Sequence, residues 1–446
     1  MTASPTTPPR PPLRSRFAVG AGRTVAGASK LTGLGTGSVI GGRVSLALDP
    51  DLLARLAAGR RTTLVSGTNG KTTTTRLLAA ALGTLGEVAS NHLGANMAPG
   101  VVAALGSAPH APFAALEVDE RWLGPVLEQV GPAGVVLLNL SRDQLDRSHE
   151  VRKIADTWRA ALGRLHPAPV VANADDPLVV WAAGEVPDGD VVWVGTGGGW
   201  MLDAAGCPSC AGRIAFADDG WSCTGCSFAR PSPAWRLVVD DNAPDGVAGG
   251  AHGVVERPEG PPVEVTLSLP GRVNLANAAM VLVAAAHAGA DLDDAAAAMG
   301  TVATVAGRYR TATIAGAEVR MLLAKNPAGW QEAIAMLEPS PTPVVCAINA
   351  RIADGRDPSW LWDVPYEALR GRFVVATGER RHDLAVRLRY AEVDHATAPR
   401  LAEAVALAAR RGDPAATPAR RVGLIANYTA FQDYLDTVGR QEPGDG

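Results

Sequence analysis

Leu64-Val65-Ser66-Gly67-Thr68-Asn69-Gly70-Lys71-Thr72-Thr73-Thr74-Thr75 carries the three parts of a phosphate cradle in their proper order. The β-branched run from Thr62 to Val65 reads as a buried strand. Arg76-Leu77-Leu78-Ala79-Ala80-Ala81-Leu82 reads as a helix. Between them, Gly67 and Gly70 let backbone N–H groups close around an anion, and the helix N-terminus adds its partial positive charge. Lys71 is placed to reach the outer phosphates of a nucleotide, and the Thr72 hydroxyl to ligate Mg²⁺. Thr68, Asn69 and Thr73 complete the candidate nucleotide contacts. A strict P-loop has glycine at position 65, where Val65 stands here, so this is the shorter GTNGKT form.

Working outward, 446 residues suit two or three domains. The chain is 47% hydrophobic with a net charge of −4, a soluble globular composition without a charge excess that suggests nucleic acid. Its five cysteines, four of them in two CxxC pairs, suit a reducing cytoplasm and a metal better than disulfides. No apolar run reaches the roughly 18 residues that span a bilayer, and the N-terminus lacks the compact apolar stretch of a secretory signal. Ahead of Asp49 there is no acidic residue, while Arg10, Arg14, Arg16, Arg23, Lys30 and Arg43 are scattered among Gly, Ala and Val. Without a clear helical period, residues 1–48 read as a flexible basic leader with a small docking segment, or as a segment weakly drawn to anionic headgroups.

Beyond Asp49, strands expected at 62–66, 112–118, 133–140, 168–173 and 190–194 alternate with helices, the pattern of a parallel α/β sheet. In such a sheet chemistry sits at the carboxyl ends of the strands. Glu117 ends the second of these and is the choice for a second Mg²⁺ ligand; Asp119 and Glu120 read as a solvated acidic turn. Ser141, after the third, reads as a helix N-cap. Asn173 and Asp175 in Asn173-Ala174-Asp175-Asp176-Pro177 are candidates for a ribose hydroxyl or a magnesium-bound water. Asn274 and Asn277 lie three apart on one face of a helix start and could take an adenine edge. Residues 240–262 read as a surface loop.

Four of the five cysteines form two knuckles, Cys207-Pro208-Ser209-Cys210 and Cys223-Thr224-Gly225-Cys226. Four thiolates close a tetrahedral coordination sphere, so the expected ion is a structural zinc in a ribbon inserted at 205–228. Cys346 lies in an apolar strand and reads as core. From residue 309 the αβ alternation restarts, with strands at 318–324, 343–348, 372–377 and 421–426 and helices at 328–337, 383–391 and 398–410. That length suits a second, Rossmann-like domain over 309–440, after a central ATP-binding domain over 49–308. Residues 441–446 read as a tail.

GTNGKTTT, the strand-end glutamate, NADDP, NLANAAM and the closing Gly307-Arg308 together resemble the Mur ligases, with folylpolyglutamate synthetases sharing the plan. Within the family, the four-cysteine ribbon, Asn91-His92-Leu93-Gly94-Ala95-Asn96-Met97, Arg142-Asp143-Gln144, Leu323-Ala324-Lys325-Asn326-Pro327-Ala328-Gly329 and Asp354-Gly355-Arg356-Asp357-Pro358-Ser359-Trp360 resemble the Mur-ligase-like MurT subunits of lipid II isoglutaminyl synthase. The resemblance covers about residue 50 to residue 430. It implies that ATP phosphorylates the α-carboxylate of D-glutamate in the lipid II stem peptide, and that ammonia attacks the acyl phosphate to give D-isoglutamine. Lys71, Thr72, Glu117 and Mg²⁺ would stabilise the transferring phosphoryl group, and Arg308 would join the nucleotide site. It also implies a separate GatD-like glutaminase that supplies the ammonia, and work at the inner face of the membrane.

Two departures bear on this. Gln144 stands where classical Mur ligases have histidine, and Lys325 stands where they have a histidine ahead of the Asn-Pro step. The C-terminal region shows no clear amino-acid recognition motif, as suits an enzyme that receives ammonia. The resemblance implies that the DGRDPSW loop lends the glutaminase the acid of its triad. Asp357 is placed in that role, with Asp354 as runner-up and turn formation as its ordinary role. Trp360 and Trp362 read equally as interface or core. Two other readings stand beside this one. The first is a ligase that adds an amino acid without a partner; the second is a P-loop protein that uses its ribbon on nucleic acid.

Overall fold

Short runs rich in Val, Ala and Leu, bounded by glycine, proline or polar residues, form the strands, and those in the middle of each sheet are buried along all or nearly all of their length. Gly134–Leu137 and Val344–Ala347 are buried at every position, as expected of parallel strands covered on both faces. The computed structural model describes residues 8–31, 37–91, 94–142, 151–164, 168–187, 189–218, 220–239, 250–303, 309–337, 340–411 and 421–439. The chain divides into two compact units, the first made of Met1–Ser141, His149–Pro244 and Gly250–Ala303, the second of Arg142–Ser148, Asp245–Gly249 and everything from Thr304.

The first unit opens with α1 (Leu13–Leu31), α2 (Ser38–Leu48) and α3 (Leu52–Ala57), followed by β1 (Arg61–Ser66), α4 (Lys71–Gly83), β2 (Val88–Ser90), α5 (Ala98–Ser107), β3 (Phe113–Glu117), α6 (Leu123–Val130) and β4 (Gly134–Leu137). It continues through α7 (Val151–Leu162), β5 (Val170–Asn173), α8 (Pro177–Ala183), β6 (Val191–Gly195), the hairpin β7 (Ile214–Ala217) and β8 (Gly220–Cys223), then β9 (Trp235–Val238), β10 (Ala251–Glu256), β11 (Val263–Leu267), α9 (Arg272–Ala288) and α10 (Leu292–Gly300). Nine strands form one sheet in the order β11-β10-β9-β6-β5-β4-β1-β3-β2. It is parallel from β2 to β9, and β10 and β11 close one edge antiparallel.

β1 has β3 on one side and β4 on the other. The connections on its two sides run in opposite directions, which makes its carboxyl end the switch point where such sheets bind ligands. α9 is apolar around most of its circumference and buried to match. α7 is one-sided, burying Val151, Ala155, Trp158, Ala161 and Leu162 at helical spacing.

The second unit carries a six-stranded sheet in the order β12-β13-β17-β14-β15-β16. Its strands are β12 (Tyr309–Ile314), β13 (Ala317–Leu323), β14 (Val344–Ala347), β15 (Val374–Thr377), β16 (His395–Thr397) and β17 (Arg421–Ala426), with helices α11 (Pro327–Ala335), α12 (Arg381–Tyr390), α13 (Leu401–Arg411) and α14 (Tyr428–Gly439). Only the β12–β13 pair is antiparallel. Here the chain runs one way from β13 to β16 and then turns back, so that β17 lies between β13 and β14.

The α/β expectation holds, and each strand expected ahead of α9 lies within a few residues of its expected bounds, while β2 and β9 were not foreseen. Two readings need correction. Within the expected flexible leader, Leu13–Leu31 and Ser38–Leu48 are helices. Their glycines are the reason: Gly22 and Gly41 let the two backbones touch, and a Cβ on Gly22 would sit 2.5 Å from the Gly41 carbonyl oxygen. Within the expected loop at 240–262, Ala251–Glu256 is a strand between β9 and β11, with alternate residues buried. No helix among the described residues is long and apolar enough to cross a membrane.

Candidate active site and metal centre

The GTNGKT loop leaves β1 at Ser66 and enters α4 at Lys71, as its residue types require. Gly70 caps the helix at φ 85°, a left-handed conformation that favours glycine. A Cβ there would also meet the Asn277 side chain at 2.9 Å. Gly67 lies against the end of β4, where a Cβ would stand 2.8 Å from that of Leu138. The loop is fastened to that strand end by paired bonds. Thr68 N–H donates to the Asn139 carbonyl at 2.9 Å, Asn69 N–H to Asn139 Oδ1 at 2.9 Å, and Asn139 Nδ2 back to the Asn69 carbonyl at 3.0 Å. Ser141, expected as an N-cap, instead accepts from Asn69 Nδ2 at 3.2 Å and donates its N–H to Thr68 Oγ1 at 3.0 Å. The next described helix begins at Val151.

Lys71 is buried and folded back on its own loop. Its Nζ donates to the carbonyls of Gly67 at 2.5 Å and Thr68 at 3.1 Å and pairs with Glu120 Oε2 at 3.1 Å. Glu120 was expected in a solvated turn. It is only 9% exposed, and its carbonyl accepts from the indole of buried Trp158 at 2.7 Å. Glu-Val-Asp-Glu held no signal to separate its last carboxylate from an ordinary turn.

Glu117 is held by the carboxamide of Asn91, which accepts from the Glu117 N–H at 2.7 Å and donates to its carbonyl at 2.8 Å. Glu117 Oε1 accepts from Asn96 Nδ2 at 3.2 Å, while Oε2 is buried without a hydrogen-bond partner. A buried carboxylate oxygen left unpaired is costly, and a hard cation is a natural partner for it. Thr72, on the first turn of α4, is the hydroxyl that would share that ion. The glycine cradle, Lys71 and this orphaned oxygen therefore fit a magnesium nucleotide. Asn277 touches the loop at Gly70, whereas Asn274 Nδ2 is turned onto the Pro270 carbonyl at 2.5 Å. Thr73 is buried in α4. Arg308, Asp143 and Gln144 lie outside the described residues.

Asn173 and Asp175 have internal partners. Asn173 Nδ2 donates to the Leu138 carbonyl at 3.0 Å, and its Oδ1 accepts from Asp175 N–H and Thr196 Oγ1. Asp175 Oδ2 accepts from the N–H groups of Thr196 and Gly197 at 2.6 and 2.8 Å, and Oδ1 takes Arg230 Nε at 2.6 Å. Both oxygens are thus engaged within the protein. They brace β5 and β6 against the segment after the ribbon, and nothing in NADDP announced Arg230 as their partner. Asp176 caps α8 through Leu178 and Val179 and also accepts from Leu140 N–H. Burial pushes its carboxyl up to about 6.

The four ribbon sulfurs come together, all within 4.8 Å of one another. Cys207 and Cys226 Sγ are 3.7 Å apart, and Cys210 and Cys223 Sγ 3.5 Å. Zn–S bonds of about 2.3 Å give a tetrahedral edge of about 3.8 Å, so the set fits one zinc ion. Gly212 and Gly225 N–H donate to the sulfurs of Cys210 and Cys223. The Gly225 N–H holds the Cys223 thiol down at about 7. The ribbon is docked rather than free. Trp221 Nε1 donates to the Ala174 carbonyl at 3.1 Å, and Phe228 packs on Trp221 and Trp181.

In the second unit the loop after β14 carries both acids considered for a partner's triad. Asp354 is buried. It accepts from Thr429 N–H at 2.8 Å and Arg351 N–H at 3.2 Å, and also from the Thr429 hydroxyl. It ties the loop to the start of α14. At the same strand ends the Asn427 carboxamide clasps the Asn349 backbone, accepting its N–H at 3.0 Å and donating to its carbonyl at 2.7 Å. Asp357 is exposed, its Oδ1 accepting only the Ser359 N–H at 2.9 Å among the bonds described for it. Trp360 is core against Trp330, whereas Trp362 is 54% exposed and edge-on to Tyr390. Cys346 is fully buried in β14, and burial pushes its thiol up.

Residues 65–198 match the Mur ligase middle domain, and residues 323–431 match the MurT ligase C-terminal domain. The chain is 29% identical over 388 residues to the MurT subunit of lipid II isoglutaminyl synthase of Streptococcus pneumoniae, covering 80% of this chain and 83% of that one. It is 27% identical to the corresponding subunit of Staphylococcus aureus, covering 80% and 84%. Among solved structures, a pseudomurein peptide ligase type C from Methanothermus fervidus superposes with a TM-score of 0.66 at 17% identity, covering 86% of this chain and 79% of that one. MurF of Thermotoga maritima in complex with ADP superposes with 0.61 at 15% identity, covering 89% and 84%. A switch-point phosphate loop with a strand-end carboxylate, matched by a middle domain and a C-terminal domain of known type, shows that the chain belongs to the Mur ligase family, its second unit being of the MurT kind.

Proposed function

We propose that this chain is the ATP-dependent ligase subunit of a lipid II isoglutaminyl synthase. It amidates the α-carboxylate of D-glutamate in the lipid II stem peptide with ammonia from a GatD-like glutaminase, at the inner face of the membrane. A carboxylate and ammonia do not condense unaided, because hydroxide is a poor leaving group. Magnesium ATP, when bound, supplies the phosphoryl group that makes the carboxylate an acyl phosphate. The loop from Gly67 to Lys71 and the start of α4 hold the phosphates. Lys71 leaves Glu120 for the outer phosphates and offsets their charge. Thr72 and Glu117 hold the metal, and Asn277 borders the nucleotide through its contact with Gly70. Asn173, Asp175 and Asn274 support the strand and helix ends behind the site. Arg308 is assigned to the nucleotide by family resemblance alone.

The observation that carries the partner half of this reading is the exposure of Asp357 on a loop whose base is tied down by Asp354. A carboxylate docked on a glutaminase histidine fixes its tautomer and stabilises the imidazolium. Asp357→Asn retains the Oδ1 acceptor for Ser359 N–H, so the loop and the complex should survive. Glutamine-driven amidation should fall about 10⁴-fold, while amidation driven by free ammonium persists. Retention of glutamine use would dismiss Asp357 as the acid. Loss of both activities in an intact complex would place it in the ligase chemistry instead.

A further inference from the structure

The first 48 residues contain six cations and no acid, and α1 distributes the four it carries unevenly around its axis. Its inward face is Ser15, Ala18, Gly22 and Ser29. Gly22 lies against Gly41 of α2, while Ser15 Oγ donates to buried Asp49 at 2.6 Å. On the opposite face Leu13, Phe17 and Leu31 stand out, 78%, 70% and 91% exposed. At 100° per residue they fall within one narrow stripe, filled between by Gly20, Thr24 and Ala28. Arg16, Arg23 and Lys30 recur every seven residues along one flank of that stripe, and Arg14 lies on the other. Arg14 and Arg23 also donate to the carbonyls of Leu48 and Gly106, which steadies their guanidinium groups at the helix edges.

We propose that this face of α1 docks the protein on an anionic phospholipid surface, with Leu13, Phe17 and Leu31 entering the headgroup boundary and Arg16, Arg23 and Lys30 lying along the phosphates. The charge pattern selects the occupant. A protein partner with an uncharged apolar contact gains nothing from cations free of any acid along one flank, whereas an anionic bilayer attracts each of them. Arg and Lys stems can lie over the apolar stripe while their charges stay in the polar layer. The inference rests on the lipid-linked substrate proposed above only for its purpose. The surface chemistry stands without it.

The test is sedimentation of the full-length protein with vesicles of phosphatidylglycerol and phosphatidylcholine in equal parts, and with phosphatidylcholine alone. Binding is expected to the first and to be much weaker to the second, and to decline with salt. Phe17→Ser should lower the partition coefficient about tenfold, and Arg16→Gln with Lys30→Gln about thirtyfold. Neither set touches the phosphate loop, so amidation of a lipid-free stem peptide should be unchanged. Vesicle binding without any amidation by the wild-type complex would sink the proposed function and leave this inference standing. Three results would overturn it: equal binding to both vesicles, no binding to either, or variants that bind as the wild type does. Loss of a dimer on Phe17→Ser, with no vesicle binding by the wild type, would make the stripe a contact between copies instead.

Discussion

Glu117→Gln should make the protein more stable without nucleotide and less able to be stabilised by it. Glu117 is 3% exposed, with one hydrogen bond at 3.2 Å and one oxygen that has none. An unpaired buried polar atom costs about 1–3 kcal/mol, and a carboxylate adds the cost of desolvating its charge. Glutamine has the same volume and keeps an oxygen for Asn96 Nδ2. Its amide nitrogen inherits the unpaired position, so that cost remains, but the charge is gone. A gain of about 1 kcal/mol in the free protein is expected. Magnesium ADP at a hundred times its Kd should stabilise the wild type by about 2.7 kcal/mol. The variant, lacking the carboxylate, should gain only a small fraction of that. The two proteins should therefore exchange rank when magnesium ADP is added. Urea denaturation followed by tryptophan fluorescence, with and without magnesium ADP, reads this directly. A variant less stable than the wild type when free, yet stabilised equally by magnesium ADP, would refute the metal-ligand argument.

Zinc removal should loosen the ribbon rather than stop the chemistry, because four thiolates leave no open coordination position. Metal analysis should find one zinc per chain, and Cys210→Ser should lose it and expose 205–228 to protease. A zinc-free wild type of unchanged protease resistance would count against the site. Asp176 gives a pH dependence whose sign follows from its environment. Its folded value of about 6 lies above the ordinary 3.8 because burial disfavours the charge. The folded chain therefore holds the proton more tightly between pH 4 and 6, and stability rises as pH falls through that window. The difference is about 3 kcal/mol at most. Denaturation midpoints from pH 4 to 6.5 should show a shallower slope for Asp176→Asn, and identical slopes would remove the assignment.

The centre of the first unit was legible because its signals are local and agree with one another. A β-branched run, two glycines and a lysine at a helix start leave few alternatives, and four cysteines in two knuckles leave fewer. What escaped was decided by distant partners. Glu120 looks like any turn acid until Lys71 folds back on it, and Asp175 looks like a ligand until Arg230 arrives from beyond the ribbon. α1 and α2 escaped for a different reason. Glycine lowers intrinsic helix propensity by about 1 kcal/mol per residue, so Gly20, Gly22 and Gly27 argue against a helix wherever packing is unseen. The packing that rescues it needs one of them, Gly22, for contact with α2. Of the two loop acids, Asp357 was preferred to Asp354 on resemblance alone, and the bonds from Thr429 to Asp354 come from a residue too distant in the chain to foresee.

The ribbon has one more consequence. β6 and β9 are parallel neighbours, and parallel neighbours need a crossover between them, usually a helix. Here the segment from Thr196 to Ala234, cysteines included, is that crossover. The four-cysteine module is therefore part of the route by which the chain returns to start the next parallel strand. A tight turn cannot take its place, since it would bring the chain back antiparallel and reverse the strand that follows. In the history of such a protein the ribbon can be exchanged for another crossing segment of similar span, but it cannot simply be deleted. Gain or loss of metal binding in this lineage is then expected by substitution of the knuckles within a retained segment, not by excision.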